Sequence, residues 1–407
     1  LTGAVELLNP LTSQADFKAR LQSGRLNKLR QQLRRFDCPA GIFYDPINIR
    51  YATDVSNMQV YSLHNPCRYV FVAAEGPAIL FDFRGCAHLS QDSVVVDEVR
   101  VARSWYHFNS GPHNHRHLRL WADEIDDLMR QHASSSRRIA IDKLDPMGAA
   151  ELQRLGYEII EGQEVAHCAR LVKTEEEILA IRDAVAVCQH GIRKMRAASA
   201  PGKTEQAIWS ILHQTNIEHG GEWIETRLLT SGPRTNPWYQ ECSARVVEAG
   251  DMISLDSDLV GPHGYSADIS RSWVVGDAKA NDEQRRMYSL AHEQVQRNSE
   301  LFRAGRGYRE IGVDAWHLPE PYSEYEQPAI AHGIGLCNEF PLIMNSQWFE
   351  SDGFDGELEA GTVFCIESYV GAPGGREGVK LEQQILVTDS GYELLSDLEF
   401  EDRLISG

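Results

Sequence analysis

Apolar residues along the chain recur at two different periods, helical and strand-like, and both occur in each half. Residues 13 to 35 carry apolar and long-stemmed side chains at helical spacing on a basic background, which predicts a helix. Runs rich in Val, Ile, Phe and Tyr follow at AGIFYD, RYVFVAAEGPAILFDF and DSVVVDEVRVA, and a Glu-Gly step inside the second marks a hairpin. A helix over 116–133 and a strand at RRIAIDK continue the alternation, so residues 1–165 read as one α/β domain. The remainder, 166–407, reads as α+β. Its first helix opens on a capping box, Thr174 with Glu177, and a second runs from a Thr204 cap to Gly220. Strands are predicted near 224–230, 244–260, 268–275, 361–370 and 379–388, with a helix over 281–303. Pro373, Gly374 and Gly375 place a turn between the last two strands.

The acids fall where this pattern does not expect them. ISLDSDLVGPHGYSADISRSW, residues 253–273, begins as an interior strand and then sets Asp256, Asp258 and Asp268 close together. Side chains alternate across a strand, so Asp256 and Asp258 are expected on one face and Ile253 and Leu255 on the other. Two like charges on a buried face repel and lose hydration, a cost that a cation would offset. Glu367 in GTVFCIESYV shares a face with Val363 and Cys365, and Glu382 precedes the apolar run of GVKLEQQILVT. His332 stands between an apolar approach and a glycine-rich turn in AIAHGIGLCNEFP, where backbone can come close to a ligand. Any one of these acids alone reads as a turn or solvated-edge residue. Together the five carboxylates and one imidazole make a donor set for two divalent cations of intermediate hardness: iron, manganese, cobalt or zinc. Bridging carboxylates hold such a pair about 3.5–4 Å apart.

Composition narrows the partners. A chain of 407 residues, 42% hydrophobic and 24% charged, is long enough for two or three domains with ample cores. A net charge of −19 argues against nucleic acid or an anionic membrane as the main partner. No stretch approaches the ~20 apolar residues that span a bilayer, and the first thirty lack a secretory pattern, so a cytoplasmic location is expected. The eight cysteines lie far apart with no C-x-x-C pair, which predicts reduced thiols. His113, His115 and His117 alternate in GPHNHRHLRL and are expected in a solvated loop before a helix.

The acids and their surroundings resemble the pita-bread superfamily of creatinase, aminopeptidase P and methionine aminopeptidase. Its metal signature runs Asp, Asp, His, Glu, Glu, the second Asp following a Gly-Tyr pair as in HGYSADISRSW. The resemblance implies a creatinase-like α/β domain followed by a pita-bread catalytic domain. It is nearer still to the dimethylsulfoniopropionate lyases of this fold, in DPINIRYATDVSNMQ, GGEWIETRLLTSGPRTNPWYQEC, DLVGPHGYSADISRSWVVGD and HGIGLCNEFP. That branch also has the extra aspartate, so the implied metal ligands are Asp256, Asp258, Asp268, His332, Glu367 and Glu382. The histidines that assist the hydrolytic members are missing from SGPRTNPWYQE and HGIGLCNEFP, which disfavours a standard prolidase. The lyase pattern is altered too: Asn338 stands at the position of the carboxylate base, Tyr61 at that of a tryptophan and Gln327 at that of a tyrosine.

The resulting expectation is a dinuclear enzyme that cleaves a C–S or similar bond β to a carboxylate in a small zwitterion. Tyr61 and Trp238 would form an aromatic wall for its cationic group, worth ~0.5–2 kcal/mol. The base would be Glu339, Tyr239 or a metal-held hydroxide in place of Asn338. Arg234 would either pair with the substrate carboxylate or brace its own loop. A C–N hydrolase and a non-catalytic binding protein are the alternatives. The resemblance further implies a homodimer in which the upstream domain of one chain, with His64, closes over the other's site.

Overall fold

In the computed structural model, which describes residues 7–133 and 136–405, the chain divides into two units. The upstream unit, Gln14–Arg170, is built on a six-stranded sheet. Its strands β1 (Ala40–Phe43), β2 (Tyr69–Ala73), β3 (Ala78–Asp82), β4 (Glu98–Val101), β5 (Arg138–Ile141) and β6 (Glu158–Glu161) lie in the order β4-β3-β2-β1-β5-β6. β1, β2 and β3 are buried along their whole length, which is why they read as continuous apolar runs. The predicted hairpin is the antiparallel pair β2 and β3. The helix Asn114–His132 turns Trp121, Ile125, Leu128 and Met129 into a core with Phe71 and Ile139. That helix also corrects one expectation. His115 and His117 lie in its first turns and not in a loop, and residues two apart on a helix point in divergent directions.

The second, downstream unit takes the described residues up to Ser13 together with the chain from Leu171 onward, and holds three sheets. Its strands are β7 (Trp223–Ile224), β8 (Leu229–Ser231), β9 (Met252–Leu255), β10 (Leu259–Val260), β11 (Ser266–Ala267), β12 (Arg271–Val274), β13 (Ala329–Ile334), β14 (Asn338–Met344), β15 (Val363–Gly371), β16 (Gly378–Val387) and β17 (Tyr392–Leu394). They pair as β11-β10-β7, β12-β9-β8 and β14-β13-β15-β16-β17. Both predicted N-caps form: Thr174 with Glu177 closes a capping box on the helix Glu175–Ala198, and Thr204 caps Glu205–Glu218 through the N–H of Ala207. On one face of the five-stranded sheet Ala331, Ile343, Phe364, Ile366 and Ile385 form a core, and the helix Asp282–Ser299 packs Met287, Tyr288, Ala291 and Val295 against Val370, Val379 and Leu381. The opposite face is left for polar residues.

The single strand expected over 244–260 is broken. Residues 244–251 form a loop that turns at Gly250, where φ is 89°, and Asp258 at φ 37° separates β9 from β10. A left-handed aspartate cannot continue a pleat, so the alternation expected to align Asp256 with Asp258 does not operate. No described helix is long and apolar enough to cross a membrane.

Candidate metal centre

Register builds the polar face. Across the antiparallel pair of β15 and β16, Glu367 lies opposite Glu382, Tyr369 opposite Lys380 and Cys365 opposite Gln384, while His332 on β13 lies opposite Cys365. Residues directly opposite share a face, so His332, Glu367, Lys380 and Glu382 converge. Asp256 follows the end of β9, and Asp268 follows β11. Ligating atoms of Asp256, Asp268 and Glu382 lie within 4.8 Å of one another, as do those of His332, Cys365 and Glu382. Asp258 joins through its backbone, whose N–H donates to Asp268 Oδ1 at 3.2 Å, while its Oδ2 accepts from Thr226 Oγ1 at 2.7 Å.

Two members of this cluster, Lys380 and Ser270, went unread in the sequence, and Cys365 was placed on the face of Glu367 without a role. Lys380 is fully buried, and its Nζ lies 2.9 Å from Glu382 Oε2, 3.1 Å from Glu367 Oε2 and 3.4 Å from Asp256 Oδ2. Ser270 Oγ stands 2.6 Å from Asp256 Oδ1 and 2.7 Å from Glu382 Oε2, and one hydroxyl hydrogen can serve only one of them. Cys365 places its thiol among the acids, and burial with the charge of Glu382 and Asp268 holds that thiol protonated. The signal was spacing: Lys380 is two residues from Glu382, and Cys365 two from Glu367, each on the same strand face.

The electrostatics fit bound cations. Burial, with repulsion from Glu382 and Asp258, pushes Asp256 up to about 8 against the pull of Lys380. Burial and the neighbouring acids raise Asp268 as well. Glu382 goes the other way, because Lys380 and His332 outweigh its burial. Burial would lower His332, but Glu382 and Glu367 outweigh it and bring the imidazole up to about 9. Its Nδ1 faces the carbonyl of Gly333 at 3.1 Å, which leaves Nε2 toward Glu382 Oε1 at 3.4 Å and Asp268 Oδ2 at 3.8 Å. That is the tautomer a metal-ligating histidine takes when its second nitrogen is anchored to a carbonyl. Glu382 Oε1 is buried and, apart from its ion pair with His332, has no hydrogen-bond donor among the described residues. Five carboxylates facing one ammonium and one imidazole call for further positive charge, and two divalent cations match that need.

Comparison with known proteins agrees. Residues 180–389 match the model of metallopeptidase family M24, and residues 25–182 match the creatinase/prolidase N-terminal domain. The chain belongs to metallopeptidase family M24. It is 38% identical over 391 residues to the dimethylsulfoniopropionate lyase DddP of Roseovarius nubinhibens, covering 95% of this chain and 88% of that protein. It is 39% identical over 371 residues to the DddP of Roseobacter denitrificans, covering 89% and 83%. These relatives place the chain in their family within M24. Among solved structures, an Xaa-Pro dipeptidase from Bacillus anthracis superposes with a TM-score of 0.75 at 20% identity, covering 93% of this chain and 99% of that one. The prolidase from Pyrococcus horikoshii OT3 gives 0.72 at 20% identity, with the same coverage.

Around the M24 centre, Trp238, Tyr239, Tyr325, Gln327 and Tyr369 line a cavity of about 180 Å³. Tyr369 joins it to the acids, since it faces Lys380 across β15 and β16. Trp238 stacks on Tyr369 with centroids 5.8 Å apart, and Gln327 Nε2 donates to Tyr239 Oη at 3.2 Å. Two buried polar atoms here, Trp238 Nε1 and Gln327 Oε1, have no hydrogen-bond partner among the described residues. Burial, reinforced by Glu367, raises the Tyr239 phenol although Gln327 pulls the other way.

The other predicted residues stand elsewhere or are otherwise engaged. Asn338 is exposed at the head of β14. Glu339 is buried, and its carboxylate meets Lys173 Nζ at 3.0 Å and accepts from the Leu336 N–H at 3.1 Å, so it braces the turn and is not free to act as a base. Arg234 is paired with Glu205 and donates to the Glu241 carbonyl, which makes it a brace of its loop. Tyr61 lies on the short helix Gln59–His64 of the upstream unit, tilted against Phe83. His64 lines a separate cleft of about 510 Å³ in that unit with Tyr44, Trp105 and Tyr106.

Proposed function

We propose that this M24 chain is a metal-dependent lyase that cleaves the C–S bond β to the carboxylate of a small zwitterion, as the name of its DddP relatives states for dimethylsulfoniopropionate. The observation that carries the reading is the aromatic cavity beside the acid cage, with an unpartnered N–H donor and an unpartnered acceptor in its wall. Two divalent cations of the iron, manganese, cobalt or zinc type, held by Asp256, Asp258, Asp268, His332, Glu367 and Glu382, would bind the substrate carboxylate and acidify the adjacent C–H. Trp238, Tyr239, Tyr325 and Tyr369 line that cavity and would attract a sulfonium group through their rings, an attraction worth ~0.5–2 kcal/mol. The unpartnered Trp238 N–H would donate to a substrate oxygen. Tyr239 keeps its proton at neutral pH, so it serves as a hydrogen-bond donor. Asn338 cannot remove a proton, and Glu339 is held by Lys173, so proton abstraction is the weak step of this site.

The same reading takes the chain as a cytoplasmic homodimer. All eight cysteines are free, in keeping with a reducing compartment, and sedimentation of the loaded protein reads the assembly.

The test is headspace detection of dimethyl sulfide with chromatography of acrylate, on protein loaded with each metal in turn. Release of both in equal amounts above a protein-free control is expected. No release with any metal, alongside amino-acid release from Xaa-Pro dipeptides, would replace the lyase with the C–N hydrolase.

A further inference from the structure

Two arginines and a histidine gather at one end of the upstream sheet, in a chain whose net charge is −19. β3 and β4 run parallel, with Asp82 opposite Val101, and β2 runs back beside β3 with Tyr69 opposite Phe81. Residues 83–84 after β3, 102–104 after β4 and Cys67 ahead of β2 therefore sit at the same end of the sheet, outside the carboxyl ends of two neighbouring parallel strands. Open α/β sheets commonly hold ligands in such a crevice. These segments, with Asn109 and with His117 of the helix Asn114–His132, line a cavity of about 370 Å³.

The polar part of the lining consists of donors. Among the described residues, no hydrogen bond or ion pair engages the side chains of Arg84, Asn109 or His117. Ser104 is 8% exposed; its hydroxyl accepts from the Tyr106 N–H at 3.4 Å, and no acceptor among the described residues takes its own hydrogen. Arg103 gives its Nε–H to Glu124 Oε2 at 3.1 Å, which leaves its terminal N–H groups. No carboxylate lines the cavity. Asp82, at the end of β3, is fully buried and taken up by Arg68 through bonds of 2.9 and 3.0 Å, and Glu124 is shared between Arg100 and Arg103. Cys67 carries no charge, because burial pushes its thiol up to about 11. A concavity lined by one sign of charge concentrates counter-ions, and here the counter-ion is an anion.

Donor count separates the candidate anions. A carboxylate brings one charge and about four lone-pair sites, most of which a single arginine fork fills. A phosphate group brings a charge of about −1.5 to −2 and three strong acceptor oxygens, enough for both guanidiniums together with Ser104, Asn109 and His117. We infer that this cavity binds a phosphate group, free or at the end of a small molecule, with Arg84 and Arg103 pairing its oxygens and Ser104 donating from the buried wall. The site belongs wholly to the upstream unit and does not depend on the lyase reading.

Titration calorimetry of the full chain, stripped of metal so that no cation competes for the anion, tests this with inorganic phosphate, glycerol 3-phosphate and acetate at constant ionic strength. Saturable uptake of one phosphate per chain is expected, with acetate about tenfold or more weaker. Arg84→Gln should weaken phosphate binding about tenfold or more, the worth of one charge-assisted hydrogen bond. Arg84 is exposed and without a partner among the described residues, so its replacement leaves the fold intact, which circular dichroism checks. Arg84→Lys keeps the charge and loses the fork, and its affinity should fall between the two. Tighter binding of the ester than of the free ion would assign the site to an organic phosphate, and equal binding to the ion itself. No saturable uptake, acetate binding as well as phosphate, or an affinity untouched by Arg84→Gln/Arg103→Gln overturns the site.

Discussion

An amide at position 338 stands where the resemblance to the lyases places a carboxylate, and a carboxamide has no basic form near neutral pH. The side chain is exposed at the head of β14, opposite Ile334, and it can only accept or donate a hydrogen bond. Asn338→Asp is therefore expected to raise kcat/KM for dimethylsulfoniopropionate about 10²-fold or more, the lower end of what a positioned base contributes. Asn338→Gln, which has the same chemistry, should leave it unchanged. Steady-state kinetics with metal content measured on each preparation decides the matter: equal rates for the Asp and Gln variants would mean that the proton goes elsewhere. Glu339, one residue on, shows why proximity in sequence misleads here. Alternation on the edge strand turns it inward to Lys173 while its neighbour faces out.

At the scale of elements, buried ion pairs hold turns and helices in register, and their worth can be measured. Lys173 and Glu339 are both buried, and the pair ties the segment ahead of helix Glu175–Ala198 to the turn after His332. Lys173→Met is expected to cost about 3–5 kcal/mol by leaving a buried carboxylate uncompensated, whereas Lys173→Met/Glu339→Gln should recover much of the loss in urea unfolding. In the upstream unit Asp54 caps the helix Pro46–Thr53 at φ 59°, and its carboxylate pairs with the fully buried Arg25. Burial would raise this carboxyl, but Arg25 outweighs it and the net effect is a depressed pKa. A depressed acid contributes stability that is present above the ordinary carboxylate range and lost as pH falls through its lowered value. Asp54→Asn keeps the left-handed cap, so it isolates the charge: a loss of about 3 kcal/mol at pH 7 that shrinks as pH drops below about 4 is expected. A pH-independent difference between the two proteins would assign the effect to shape instead.

These elements also show what could be read from residues alone. The paired strands β15 and β16 were legible because each alternates over a long run and a Pro-Gly-Gly turn separates them, and Glu367 does face Glu382. The caps at Thr174 and Thr204 were legible because their hydrogen bonds are local. Where β9 ends was not legible, since a positive φ at Asp258 is set by tertiary contacts, among them the bond to Asp268. Lys380 went unread for a related reason: a lone lysine in a strand ordinarily reaches water, and only the assembled sheet shows it shut inside with acids.

For the whole molecule, a net charge of −19 means that the acids outnumber the bases before any ion binds, and the most tightly packed of them lie in the downstream unit. A fold that buries such a cage gives up stability to mutual repulsion, and ligands that bind only the folded cage return it by mass action. One cation at a hundred times its dissociation constant contributes about 2.7 kcal/mol, which for a unit of this size corresponds to a rise in Tm of roughly 5–10 °C. Scanning calorimetry of chelated and manganese-, iron- or zinc-loaded protein is therefore expected to show an upward shift, with about two equivalents of metal per chain by elemental analysis. Glu382→Ala, which removes the carboxylate shared by both ligand groups, should abolish the shift while circular dichroism shows the fold retained. A chelated protein that melts at the same temperature as the loaded one would show that the buried acids are balanced by Lys380, His332 and shared protons alone, and the metal reading would have to be given up.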